Sequence, residues 1–176
     1  MNYRVAVLTL SDKGARGVRK DRSGPAVAEL VCAGGFEVVY QKLLSDDLEA
    51  MQAELARLCD EHVCDLLLTT GGTGFSSRDV TPEATLAVAE RQANGIAEAM
   101  RWHSLTITPR AMLSRGVSVL RKQTLIVNLP GSEKAVREHL SYLLPVLPHA
   151  LGILTGRENE CGGDGAQCAP AIEEAE

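Results

Sequence analysis

The chain has 176 residues, 45% of them apolar but only 3% aromatic, and a formal net charge of −5. That length supports one sizeable core rather than two, and the composition predicts a core of Val, Leu and Ala, as in α/β proteins. No apolar run approaches a bilayer span, and Arg4 falls within the first apolar run with no export pattern around it, so the expectation is a cytoplasmic protein with no membrane partner.

The charge is unevenly distributed. Of 23 acids and 18 bases, six acids and one base fall from Arg157 onward, leaving 17 of each in residues 1–156. A neutral body offers no general footprint for nucleic acid. Within it, Lys13, Arg16, Arg19, Lys20 and Arg22 crowd into ten residues, either as a solvated basic loop or as an electropositive rim for an anionic ligand. The five cysteines are an odd number without export signals, which argues against a disulfide framework. Cys59 and Cys64 are too far apart for a CxxC pair and no histidine follows at zinc spacing, so reduced thiols, with Cys32 and Cys59 behaving as small apolar residues, and no zinc site are expected.

In chain order, Tyr3–Leu10 reads as a buried strand ended by the turn residues Ser11-Asp12-Lys13-Gly14. Ser23-Gly24-Pro25 reads as an N-cap and helix opening, closed by Gly34-Gly35, and Phe36–Leu44 as a second strand. Ser45-Asp46-Asp47 caps a helix in which Leu48, Met51, Leu55, Leu58 and Cys59 form one apolar stripe. A third strand, Cys64–Thr70, enters a glycine loop. Thr81-Pro82 then starts a helix through Glu90, and a second helical stretch covers Gly95–His103. Pro109–Leu113 forms a short helical turn, and Gly116–Leu120 with Thr124–Asn128 forms a small β-hairpin across Arg121-Lys122-Gln123. After Asn128-Leu129-Pro130-Gly131-Ser132, one helix puts Val136, Leu140, Leu143, Leu144 and Leu147 on a single face. The expectation is one domain over 1–155, with a disordered acidic tail over 156–176.

Strand–helix alternation predicts a mostly parallel sheet covered by helices on both faces, a three-layer α/β sandwich. Ligands of such sheets bind at the carboxyl ends of the strands, where the loops at Ser11, Asp46, Gly71 and Asn128 all fall. The loop Thr69–Glu83 carries the chemistry. Gly71, Gly72 and Gly74 allow backbone N–H groups to approach an anion. No Gly-Lys-Ser or Gly-Lys-Thr follows at Walker spacing, and Ser77 occupies the third glycine position of a dinucleotide fingerprint. Asp79 reads as a turn aspartate or a cation ligand, and Asp46 as a cap or a second carboxylate. Together they could hold Mg²⁺ beside a triphosphate. His62, His103, His139 and His149 stand in no triad signature.

These residues resemble a known family. Thr69-Thr70-Gly71-Gly72-Thr73-Gly74 followed by Arg78-Asp79-Val80-Thr81-Pro82-Glu83-Ala84-Thr85 is similar to the MogA family of molybdenum-cofactor biosynthesis proteins, a domain that also occurs in fusions such as gephyrin. Leu10-Ser11-Asp12, Leu113-Ser114-Arg115-Gly116 and Asn128-Leu129-Pro130-Gly131-Ser132 extend the resemblance in order over residues 3 to about 153. It implies a MogA-like fold and a molybdopterin adenylyltransferase, with ATP and molybdopterin as substrates, Mg²⁺ as cofactor and a homotrimeric assembly. Contact with the molybdate-insertion enzyme is a further implied partnership. By motif, Asp79 and Asp46 would be the catalytic, magnesium-holding pair, with Asp47 leaving a one-residue ambiguity. Ser11, Asp12, Gly71, Gly72, Thr73, Gly74, Pro130, Gly131 and Ser132 would bind nucleotide and pterin. Glu133 stands where the family pattern has proline, at a helix start that favours acids. Two other readings stay open: a MoaB-type relative with weak adenylyl transfer, and a non-enzymatic pterin carrier or scaffold.

Overall fold

The computed structural model describes residues 2–158. Six strands form one sheet in the order β2-β1-β3-β6-β5-β4, comprising β1 Arg4–Leu10, β2 Glu37–Leu44, β3 Leu66–Thr70, β4 Arg91–Gln92, β5 Ser118–Arg121 and β6 Thr124–Leu129. The four strands β2, β1, β3 and β6 run parallel, and β5 and β4 add antiparallel ladders at one edge. The predicted mostly parallel α/β sheet is the fold observed.

Strands buried on both faces account for the unbroken aliphatic runs. Val5, Val7, Leu66, Leu68, Leu125 and Val127 share one core cluster, and Ala6, Leu8, Leu67 and Ile126 share the other. The first face is covered by α2 Ser23–Ala33, α5 Asn94–Leu105, α6 Glu133–Leu143 and α7 Leu147–Leu154 through Val27, Met100, Leu140 and Leu151. The second is covered by α3 Leu48–Asp60 and α4 Thr81–Ala87 through Met51, Leu55, Leu58 and Ala84. Each fully buried Leu stabilises the layered core by about 1.5–3 kcal/mol relative to exposure.

Several boundaries differ from expectation. Ser23 lies inside α2, and the carboxylate that accepts from Gly24 N at 3.0 Å belongs to Asp21. The helix expected to run through Leu147 ends at Leu143 and resumes as α7, because Pro145 cannot donate into a continuing helix. Leu48, placed on the apolar stripe of α3, is exposed, and Glu54 is buried instead. The two-residue strand β4 was not foreseen, being too short to leave a pattern. Burial pushes the Cys59 and Cys64 thiols up to about 11 and about 12; Cys59 packs as the expected small apolar residue, whereas Cys32, expected to do the same, is exposed at the end of α2. The expected acidic tail lies, from residue 159 on, outside the described residues. Among the described residues no helix is long and apolar enough to cross a membrane.

One topological feature positions the site. From β1 the chain crosses to β2 on one side and then returns past β1 to β3 on the other. The carboxyl ends of β1 and β3 therefore flank the point where the winding reverses, which is where open α/β sheets bind ligands.

Candidate active site

The loops after β1, β2, β3 and β6 meet at that point around a cleft of about 1020 Å³. Gly71 makes the meeting possible. Its φ is +103°, and a Cβ there would stand 2.3 Å from the Leu10 carbonyl oxygen. A Cβ on Gly131 would in turn stand 3.1 Å from the Gly71 Cα, so three strand ends touch through two glycines. Thr70 Oγ1 donates to the Pro130 carbonyl at 2.7 Å and Thr81 Oγ1 to the Gly71 carbonyl at 2.9 Å, tying β6 and α4 to the same loop.

The two neighbouring aspartates after β2 have different tasks. Asp47 is the N-cap of α3, its carboxylate accepting from Ala50 N at 2.8 Å. Asp46 turns to the cleft and pairs with Asp12 reciprocally: Asp12 N donates to Asp46 Oδ2 at 2.9 Å, and Asp46 N donates to Asp12 Oδ1 at 3.1 Å. Asp46 Oδ1 is buried without a hydrogen-bond partner. Burial pushes the Asp46 carboxyl up from the ordinary range, the Asp12 N–H pulls it down, and the charges of Asp12 and Asp79 raise it further. Asp12 is held below the usual range, chiefly by the Asp46 N–H and, against burial, by the Arg78 guanidinium. Arg78 reaches across from the glycine loop to Asp12 Oδ2 at 2.6 Å. Asp79 accepts from Ser76 N at 2.8 Å, and a Cβ on Gly74 would stand 2.9 Å from Asp79 Oδ2.

Of the residues expected in the site, Ser11, Asp12, Asp46, Gly71, Gly72, Asp79, Gly131 and Ser132 line the cleft. Thr73, Gly74 and Pro130 are not among its lining residues: Thr73 is buried, and the Thr73, Gly74 and Pro130 carbonyls are each bonded to other residues. The hydroxyls of Ser11 and Ser132 cap α1 (Asp12–Ala15) and α6, accepting from Gly14 N and Ala135 N. Lys13, Arg19, Lys20 and Arg22 of the basic loop line the same cleft, joined by Lys134. Sequence reasoning missed two features. The Arg78–Asp12 pair spans loops far apart in the chain. Arg115 bonds the backbone of Thr73, Gly74 and Asp79, and its only sequence signal was its place in Leu113-Ser114-Arg115-Gly116.

A divalent cation fits this donor set only in part-protein form. Among the described residues no group of three or more His, Cys, Asp or Glu could hold a metal. The unpartnered Asp46 Oδ1 and the nearby Asp79 offer one or two oxygens, the number Mg²⁺ takes when phosphates and waters complete its shell.

Known proteins resemble this chain in sequence and fold. A family model described as "Probable molybdopterin binding domain" matches residues 6–149. A molybdopterin adenylyltransferase of Helicobacter pylori is 38% identical over 86% of this chain and 88% of its own length. The Escherichia coli protein of that name is 45% identical over 78% of this chain and 71% of its own. Among solved structures, the molybdopterin biosynthesis enzyme MoaB of Thermus thermophilus superposes with a TM-score of 0.83 at 49% identity, covering 88% of this chain and 97% of that one. The tungsten cofactor synthesizing MoaB of Pyrococcus furiosus gives 0.79 at 30% identity, covering 87% and 97%. This chain belongs to the MogA/MoaB family of molybdenum-cofactor biosynthesis proteins.

Proposed function

We propose that the chain is a molybdopterin adenylyltransferase, the activity named for its relatives in Helicobacter pylori and Escherichia coli. The observation that carries the reading is Asp46, a carboxylate in the lining of a cleft that Asp79 and the glycine loop also line, with one oxygen buried and unpartnered beside Gly72. The terminal phosphate of molybdopterin attacks the α-phosphate of ATP, the bond from the α-phosphorus to the bridging oxygen breaks, and pyrophosphate leaves. Nucleotidyl transfer needs positioning and charge neutralisation more than a protein nucleophile, and the cleft has the means for both. Asp46 and Asp79 would hold Mg²⁺, which when bound offsets charge on the phosphates. Gly71 and Gly72 bring the loop backbone close to the nucleotide, with Thr73, Gly74 and Pro130 supporting it. The N-terminus of α6 at Ser132 favours an anion, and Lys13, Arg19, Lys20, Arg22 and Lys134 supply an electropositive rim.

We further propose a single domain over 1–155 acting in the cytoplasm. Homotrimer formation and contact with the molybdate-insertion enzyme follow the family; the exposed apolar side chains Trp102, Ile107, Met112 and Val146 support an interaction face. A second reading, a MoaB-type protein with weak transfer, is favoured by the 49% identity to a MoaB structure. One experiment separates them. Protein incubated with molybdopterin and Mg-ATP releases pyrophosphate and forms an AMP-linked pterin if the first reading holds. No product from intact protein overturns it, whereas undiminished activity in Asp79→Ala overturns only the role of Asp79.

A further inference from the structure

Arg115 lies outside the cleft, between the 3-10 turn Pro109–Leu113 and β5, yet it grips both ends of the loop that forms the cleft wall. Its backbone N–H donates to the Thr73 carbonyl at 2.9 Å and its Nε to the Gly74 carbonyl at 2.7 Å. Its Nη2 donates to the Asp79 carbonyl, and its Nη1 pairs with Glu83 in the first turn of α4. The exposed stretch between Gly74 and Asp79 is closed mainly on itself, by Ser76 N on the Asp79 carboxylate at 2.8 Å and Asp79 N on the Ser76 carbonyl at 2.9 Å. Arg115 ties that stretch to the sheet side of the fold.

The charge of this guanidinium is already taken. Glu83, although burial pushes its carboxyl up, is held below the usual range by Arg115, so the pair is internally neutralised and Arg115 is not a free cation for phosphate. A planar fork presents donors from three nitrogens in fixed directions and so reaches acceptors spread apart, where an ammonium presents all its donors from one nitrogen.

We propose that Arg115 is a positioning residue for the adenylyl-transfer reaction: by bonding the carbonyls of Gly74 and Asp79 it fixes the Asp79 carboxylate where it can share a cation with Asp46. This rests on the function proposed above. Asp79 sits between the carbonyl that Arg115 holds and the N–H that Ser76 holds, so releasing Arg115 lets the peptide tilt and swings the carboxylate.

The test uses the full chain as wild type, Arg115→Lys, Arg115→Ala and Glu83→Gln. In Arg115→Lys, kcat falls on the order of a hundredfold, the cost of a misplacement of about 1 Å, while KM for molybdopterin stays within about twofold because the pterin contacts are untouched. Mn²⁺ affinity in the presence of a non-hydrolysable ATP analogue, read by electron paramagnetic resonance, weakens about tenfold, as for other groups that orient metal ligands. Millimolar guanidinium restores part of the activity of Arg115→Ala, and Glu83→Gln keeps most of it. Wild-type kcat and wild-type Mn²⁺ affinity in Arg115→Lys would overturn the inference while leaving the enzyme reading intact. A wild-type chain that makes no adenylyl-pterin defeats both.

Discussion

Asp46→Asn separates a functional carboxylate from a structural one with the change of a single atom. The wild-type carboxylate uses Oδ2 to accept from Asp12 N at 2.9 Å and leaves Oδ1 buried without a partner. An asparagine oriented with its oxygen toward Asp12 keeps that bond in neutral form, a loss of roughly 0.5–2 kcal/mol, since bonds to charged groups contribute roughly 1.5–3 and neutral ones about 1. Against this, the variant removes a charge that burial disfavours. The folded-state pKa of Asp46 lies above the ordinary aspartate value, so the folded state holds a proton the unfolded chain has already released. Ionisation therefore costs stability as pH rises from the unfolded pKa through the folded one, and Asn escapes that cost. Net stability at neutral pH should stay within about 1 kcal/mol, or about 2–4 °C in Tm for a chain of this size, and the balance should move in favour of Asn between acidic and neutral pH. Activity should fall by about 10²–10³, equivalent to roughly 3–4 kcal/mol in the transition state. The assay is pyrophosphate release from Mg-ATP and molybdopterin, with thermal denaturation of the same samples across acidic to neutral pH. Undiminished kcat at saturating Mg²⁺ would refute the role. A large fall in Tm that tracks the activity loss would show that the carboxylate serves the fold.

Three contrasts and a salt test complete the set. Asp47→Ala removes the N-cap of α3 and should lower stability by about 1 kcal/mol while leaving kcat unchanged, so chemical denaturation and turnover should part company. Gly72→Ala forces a side chain into φ +64° with its Cβ 2.2 Å from Thr81 Oγ1; strain of about 1–3 kcal/mol and a displaced Thr81 should abolish turnover before they unfold the chain. Glu54, bonded by Arg57, Tyr40 and Lys42, is held at about 2 against an ordinary 4.5. A depressed carboxyl stabilises fully above its unfolded pKa and loses that contribution as pH falls to the folded one, here roughly 3 kcal/mol between pH 4.5 and about 2. Urea unfolding at stepped pH should show this loss in wild type and a flatter profile in Glu54→Gln. Lys20→Ala and Arg22→Ala should raise KM several-fold at low salt and less at high salt, where the rim is screened.

Local patterns carried the fold where one interaction dominates. Leu66–Leu68 could only be a buried strand, and the alternation of Val5 and Val7 with Ala6 and Leu8 between two core clusters is the two-sided burial that such runs encode. The glycine loop was legible because positive φ at Gly71 and close backbone approach leave few alternatives to glycine. Adjacent aspartates after β2 could not be told apart in sequence, since both residue types and positions suit a cap; only the bond from Ala50 N assigns Asp47 to that task. Asp21 was missed as the capping carboxylate because Ser23 offered the more familiar signal. Arg115 lies 36 residues from Asp79 in sequence, and no local periodicity links them. What brings them together is the antiparallel return of β5 along β6, a tertiary event.

The distribution of charge in the cleft gives the proposed reaction a physical basis that the neutral body conceals. Two anionic substrates must approach until a phosphate oxygen of one reaches a phosphorus of the other, and each pair of unit charges about 4 Å apart repels by roughly 4 kcal/mol at an effective dielectric of about 20. A uniformly basic cleft would relieve that repulsion but would bind the pyrophosphate product as readily as the substrates. This chain instead mixes both signs in one lining. Asp12, Asp46 and Asp79 line the cleft together with Arg78, and Lys13, Arg19, Lys20, Arg22 and Lys134 line it together with Asp21 and Glu133. On the proposed function, the three aspartates would attract phosphate only once a cation arrives with the nucleotide, whereas the basic side chains would attract it without one. Arg78, paired with Asp12, offsets part of the repulsion among the carboxylates. On this reasoning the unpartnered oxygen of Asp46 is a contact that a cation would complete, because a carboxylate already satisfied by the protein would have little to offer a metal-bound nucleotide.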